Sequence, residues 1–295
     1  MTVHFIGAGP GAADLITLRA QRLITSCPVC IYAGALIPAE VLEHCPPGAE
    51  LIDSQHLDLD QITALIDAAH RRGFDVARLQ SGDLSIYSAL AEQARRLDAL
   101  GIPWDMTPGV PAFAASAAAL GRELTVPEVA QTVILTRHSA RASKLPAGEE
   151  LTSLAAHGST LVIHLGTQAI TEIAASLSDH YGPECPAAVV ARASHPDELI
   201  IRGTLADIAA QTVAAGLKRS ATIIVGPALA ASGFRDSHLY SHRPRLAPGL
   251  AHLQPGLSPA RPAVTTTARP LSPPAPPPPP GASSQRHPTR TVKSG

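Results

Sequence analysis

The sequence predicts an α/β fold of two successive units, each a mostly parallel or mixed sheet flanked by helices, and three observations carry that reading. Short apolar runs alternate with amphipathic helical segments from Val3 to Val225, the pattern of sheets covered by helices on both faces. The alternation restarts with a fresh strand after residues 121–130, which divides the chain into units 1–125 and 126–235. From about residue 236 it collapses into Pro, Ser, Thr, Ala and Arg, with five consecutive prolines at 276–280. Such a basic, proline-rich tail buries no core and favours an extended, solvated chain.

The first strand, Val3-His4-Phe5-Ile6, runs into Gly7-Ala8-Gly9-Pro10-Gly11. Glycines at alternate positions let the backbone turn tightly and leave the strand's carboxyl end bare, so a ligand can lie against main-chain atoms there. Residues 14–26 read as a helix with Leu15, Leu18, Leu23 and Ile24 on one face, and Pro28 stops it. Residues 29–33 form a second strand and Leu51-Ile52 a short third. Asp58 and Gln61 have capping-box spacing ahead of Ile62, Leu65, Ile66 and Ala69, so a helix spans 59–72. Strand 75–80 ends in Ser81-Gly82-Asp83-Leu84-Ser85-Ile86-Tyr87, and a helix follows to Leu100. Strand 103–107 ends in Pro108-Gly109-Val110-Pro111 before an alanine-rich helix at 112–120. In the second unit the strands are 132–136, 160–165, 187–191, 199–202 and 221–225, with antiparallel pairing expected near Leu199. A polar loop fills 137–150. One helix carries Ile170, Ile173, Ala174 and Leu177 behind a Thr167 cap, and Thr204 and Asp207 open another.

Charge is unevenly distributed along the 295 residues. Seven Lys and Arg follow the last acid, Asp236, leaving 16 Lys and Arg against 24 Asp and Glu before it. A body of net charge -8 is a poor generic nucleic-acid binder. No apolar run reaches the roughly 20 residues of a membrane span, and the first residues lack a cationic leader, so a cytoplasmic protein is expected. Cys27, Cys30, Cys45 and Cys185 then read as free thiols. Cys27-Pro28-Val29-Cys30 has C-x-x-C spacing, but it leads into a strand rather than opening a helix and lacks a second ligand pair, so no metal is expected.

The glycine turn satisfies G-x-G-x-x-A, yet the second strand ends in Tyr32-Ala33-Gly34 without the acid that would bind a ribose, and Pro10 lacks an N–H for a pyrophosphate. Asp83, at the end of a central strand, is the best-placed carboxylate, and it can serve chemistry, cap the following helix, or do both. Arg137-His138-Ser139-Ala140-Arg141-Ala142-Ser143-Lys144 is either a solvated loop or a clamp for a polycarboxylate, which Arg binds in two places; Arg192 and His195 could join it. The chain lacks G-x-S-x-G, a P-loop and H-E-x-x-H. What remains suits chemistry done by binding and alignment.

Taken together, Phe5-Ile6-Gly7-Ala8-Gly9-Pro10-Gly11, Tyr32-Ala33, Ser81-Gly82-Asp83, Pro108-Gly109-Val110, Val133-Ile134-Leu135-Thr136-Arg137 and Pro196-Asp197-Glu198 resemble the tetrapyrrole methylases over about residues 1–235. These are S-adenosylmethionine enzymes of cobalamin and sirohaem synthesis. The likeness is greatest to the branch that methylates C11 of precorrin-4. The resemblance implies a two-domain α/β fold, a homodimer, and a site in the interdomain cleft. It places Pro10, Ser81, Gly82, Asp83, Ile86, Pro111, Ala112, Leu165, Ala193 and Ala221 against the cofactor, with Asp83 the catalytic candidate. Gly9 and Gly11 would form a low wall for the macrocycle, and Arg137, His138 and Arg141 would meet its carboxylates. The sequence departs from the family pattern at Leu84, Gly34 and Pro111. Gly34 and Leu84 are compatible with the branch acting on the metal-free substrate.

Three rivals stand beside this reading: the cobalt-containing substrate of the anaerobic route, an NAD(P)-dependent oxidoreductase through the G-x-G-x-x-A match, and a noncatalytic scaffold acting through the tail. Within the family, uroporphyrinogen III, diphthine precursors and ribosomal RNA are other acceptors, and the acidic body disfavours RNA. The proline run either docks in an aromatic groove of a partner or is untethered.

Overall fold

A computed structural model describes residues 1–138 and 144–237. The first half builds β1 (Val3–Gly7), α1 (Leu18–Ser26), β2 (Val29–Tyr32), α2 (Ala39–Leu42), β3 (Glu50–Asp53), α3 (Leu59–Arg71), β4 (Val76–Gln80), α4 (Leu90–Ala99), β5 (Trp104–Thr107) and α5 (Ala112–Leu120). Its five strands pair in the order β3-β2-β4-β1-β5, all parallel. Alternate residues face opposite sides. Val3, Phe5 and Val76 pack with Ile62, Ile66 and Leu97 of α3 and α4, while Ile6, Ala77 and Leu79 pack with Ala20, Ile24 and Val41 of α1 and α2.

The second half adds β6 (Val133–Arg137), α6 (Leu151–Ala155), β7 (Thr160–His164), α7 (Ile170–Tyr181), β8 (Pro186–Ala191), β9 (Leu199–Thr204), α8 (Ile208–Ala214) and β10 (Ala221–Val225). The order is β6-β7-β10-β8-β9. Only β6 and β7 are parallel; β10 runs antiparallel to both β7 and β8, and β9 to β8. One face of this sheet packs on α6, α7 and α8. The other receives Ala115 and Leu120 of α5 together with Leu124, against Val162, Val190 and Ile224. The sequence groups α5 with the first half, but its packing belongs to the second sheet.

The capping box at α3 forms as read: Gln61 N–H donates to Asp58 Oδ1 at 2.8 Å and Asp58 N–H to Gln61 Oε1 at 2.9 Å. Other boundaries move for local reasons. The helix expected over 14–26 begins at Leu18, capped by Thr17, because a 3-10 turn occupies Ala13–Leu15. The helix expected after Tyr87 begins only at Leu90, since Tyr87 and Ala89 hold left-handed φ of 53° and 55° that a helix cannot include. Asp207 serves its loop, accepting from Thr204 N–H, and Thr167 lies in a 3-10 turn ahead of α7. Cys27, Cys30 and Cys185 are buried thiols and Cys45 is half-buried. Among the described residues no helix is long and apolar enough to cross a membrane.

Candidate active site

Three loops leave the carboxyl ends of β1, β4 and β5 and pack main chain against main chain. Gly9 and Gly82 exchange hydrogen bonds, Gly82 N–H to Gly9 O at 2.7 Å and Gly9 N–H to Gly82 O at 3.2 Å. A Cβ on Gly7 would lie against Gly109 N and Gly82 O, and one on Gly109 against Gly82 O and Gly7 O. These two glycines are therefore required by close approach of neighbouring loops, since neither has a left-handed φ.

Asp83 laces the cluster together. Its Oδ2 accepts Gly109 N–H at 2.9 Å, and its Oδ1 accepts Ser85 N–H at 2.9 Å and the Ser85 hydroxyl. Burial works to raise its pKa, but the hydrogen bonds from Ser85, Gly109 and Leu84 outweigh that and hold it below the ordinary carboxylate value. A carboxylate so engaged is a weak base.

The second half supplies the facing wall. His164 ends β7 and Leu165 follows it, Arg192 and Ala193 follow β8, and Lys218, Arg219 and Ser220 lead into β10 at Ala221. Tyr87, Leu165, Arg192 and Ser220, all on the cleft, have φ between 49° and 57°. Such strain in residues bearing a Cβ gathers at functional sites. Arg192 N–H donates to Ser220 O at 2.9 Å, tying the ends of β8 and β10, and its Nε donates to Asp197 at 2.5 Å. The halves are latched where the His195 ring lies over Gly11 and Ala12 N–H donates to Ser194 Oγ at 2.9 Å. Burial first, and then the Arg192 cation, hold His195 below its ordinary pKa.

Between the walls lies a cleft of about 530 Å³, within the range of small-molecule sites. Much of its lining is small or rigid: Pro10, Gly82, Pro111, Ala112, Ala193 and Ala221. Apolar side chains are left facing solvent there, Leu165 at 64% exposure and Tyr87 at 47%. Arg192, Lys218 and Arg219 line it as well.

A sequence profile of the tetrapyrrole (corrin/porphyrin) methylases matches residues 2–209. The chain belongs to the tetrapyrrole methylases. It is 59% identical over 241 residues to a precorrin-4 C(11)-methyltransferase of Rhodococcus erythropolis, covering 82% of this chain and 97% of that one. A cobalt-precorrin-4 C(11)-methyltransferase of Methanocaldococcus jannaschii is 42% identical, covering 81% and 92%. Among solved structures, a cobalt precorrin-4 methyltransferase superposes with TM-score 0.75 at 34% identity, over 77% of this chain and 95% of that one. A uroporphyrin-III C-methyltransferase of Thermus thermophilus complexed with S-adenosylhomocysteine superposes with TM-score 0.66 at 28% identity, over 78% and 99%.

In this methylase, Pro10, Ser81, Gly82, Asp83, Ile86, Pro111, Ala112, Leu165, Ala193 and Ala221 all line the one cleft, as does His138. Three other sequence-derived placements differ. Gly9 is paired with Gly82 and Gly11 lies under His195, so neither lines the cleft. Arg137 borders a separate cavity of about 270 Å³ with Tyr87, Leu145 and Glu149. Arg141 lies outside the described residues. The sequence reading missed Tyr87, His164, Lys218 and Arg219. Lys218 and Arg219 precede a strand and would sit at the far end of a parallel one, but because β10 is antiparallel its amino end opens onto the cleft. Nor does the glycine turn open a helix. The first helix starts at Leu18, and its cap is internal, Ala20 N–H donating to Thr17 Oγ1. The arrangement that would hold a dinucleotide pyrophosphate at a helix amino terminus is not built here.

Proposed function

We propose that this chain transfers the methyl group of S-adenosylmethionine to C11 of metal-free precorrin-4, giving precorrin-5 in cobalamin biosynthesis. One observation carries the reading: a cleft whose lining combines small residues, solvent-facing apolar side chains and the cations Arg192, Lys218 and Arg219, in a body of net charge -8. That is what a flat, apolar macrocycle edged with carboxylates requires of its binding site. The higher identity to the relative named for the metal-free substrate, 59% against 42%, favours precorrin-4 over its cobalt form.

The cleft fits the cofactor by the same features, since the Gly, Pro and Ala residues of its lining leave room for an adenosine beside main-chain atoms. When bound, S-adenosylmethionine supplies an electrophilic methyl on a sulfonium. The residues around it align and exclude water. Asp83 fixes the spacing of the β4 and β5 loops, Pro10 and Pro111 stiffen the walls, and Arg192, Lys218 and Arg219 hold acidic side arms. In-line transfer to a nucleophilic carbon needs donor and acceptor held near contact, so this positioning is the catalytic contribution. Asp83 acts here as a positioning residue.

The same reading gives a cytoplasmic homodimer with an N-terminal domain, a C-terminal domain and a tail dispensable for transfer. It keeps the boundary at residues 121–130, with α5, just ahead of it, packed on the second sheet. Incubating the protein with precorrin-4 or its cobalt form and methyl-labelled S-adenosylmethionine tests it. Mass spectrometry and NMR should find one new methyl, at C11 of the metal-free acceptor. Label at another carbon, or none, overturns the reading.

A further inference from the structure

His164 ends β7 on the wall of the cleft, yet its Nε2 is buried and has no hydrogen-bond partner among the described residues. The Tyr87 ring covers it from the opposite half of the molecule, with centroids 5.6 Å apart and planes tilted by 57°. Burial holds the imidazole below its ordinary pKa, so the ring is kept neutral and keeps a lone pair. A buried ring nitrogen without a partner lowers stability, and folded proteins seldom keep one unless a ligand or a water meets it. The cover is itself under tension. Tyr87 has a φ of 53°, is half exposed, and lies on both the main cleft and the 270 Å³ cavity behind it. Tyr87 is common to the linings of both spaces, and its ring is the one that lies against His164.

We propose that His164 is an acceptor-binding residue: Tyr87 yields when the macrocycle enters, and the Nε2 lone pair then accepts a hydrogen bond from an inner N–H of the tetrapyrrole. The inference rests on the proposed methyl transfer, and it adds a role for a residue whose chemistry the mechanism above does not use. Tyr87 serves as the cover through its ring rather than its hydroxyl.

The test compares wild type with His164→Phe and His164→Gln in the full chain, using labelled S-adenosylmethionine and precorrin-4. His164→Phe keeps an aromatic ring under Tyr87 and removes the unpartnered nitrogen. It should hold or raise the Tm of the unliganded protein while raising the tetrapyrrole KM about tenfold, the scale of one lost hydrogen bond. Affinity for S-adenosylhomocysteine, measured by calorimetry, should not change. His164→Gln restores a donor and an acceptor and should recover most of the KM. An unchanged KM in His164→Phe overturns the proposal. A fall in Tm also overturns it, since the imidazole would then be serving the fold. Failure of the wild type to methylate would instead count against the proposed reaction, independently of either variant.

Discussion

Asp83 is placed where a catalytic carboxylate would be and bonded as a structural one. Both oxygens are occupied by main-chain and hydroxyl donors, and one donor, Gly109 N–H, comes from a loop 26 residues away. Removing the side chain in Asp83→Ala leaves those donors without an acceptor and should cost about 1–3 kcal/mol of stability. Asp83→Asn, which can still accept, should cost less and retain more methyl transfer. Denaturant unfolding and steady-state turnover measured together would check the order, and equal activity of Ala and wild type would remove Asp83 from the site. The pH dependence follows from the lowered pKa. The folded state binds the proton less tightly than the unfolded chain, so the stabilisation is complete above the ordinary value of 3.8 and is lost as pH falls through the folded value. The stability gap between wild type and Asp83→Asn should therefore hold from about pH 6 to about pH 4 and narrow below that. The position of Asp83 was legible in the sequence because Gly-Asp follows a central strand. Its role was not, because the partner that defines it is remote in sequence.

At the scale of elements, strands and most helices were legible because each rests on a local period or cap, as the Asp58–Gln61 box shows. What could not be read is how ends meet. Gly7 and Gly109 are glycine because two loops touch, and each Ala substitution should cost about 1–3 kcal/mol through overpacking. Both fill the same gap, so the double variant should lose less than the sum of the single losses. Strict additivity in urea unfolding would show the loops to be independent. Strand direction was the second illegible feature. A hydrophobic run reads alike in either sense, so the antiparallel β10 and the cations it carries to the cleft emerge only from pairing. Neither Lys218 nor Arg219 forms an ion pair among the described residues. Reversing both to Glu should raise the KM for the acidic acceptor about tenfold at low salt and less at high salt, as expected for exposed charges. A KM indifferent to the reversal would take this rim out of recognition.

At the scale of the whole molecule, the two halves are joined by more than a linker. The α5 helix belongs to the first half in chain order and to the second sheet in packing, and His195 returns from the second half to lie over Gly11. The charge of the cleft contrasts with the acidic body around it. The Rhodococcus erythropolis relative matches 241 residues of this chain over 97% of its own length, which leaves most of the basic tail without a counterpart there. A chain ending at Asp236 should therefore keep kcat and KM within about twofold and unfold at the same denaturant concentration, as expected of a proline-rich segment whose composition buries no core. It should also become markedly more acidic, since seven cations are lost and no acid is. If the tail assists capture of a carboxylate-rich acceptor by its charge alone, truncation would raise KM at low salt and leave it unchanged at high salt. If truncation instead abolishes turnover while affinity for S-adenosylhomocysteine persists, the tail supplies part of the acceptor site and the cleft as described is incomplete.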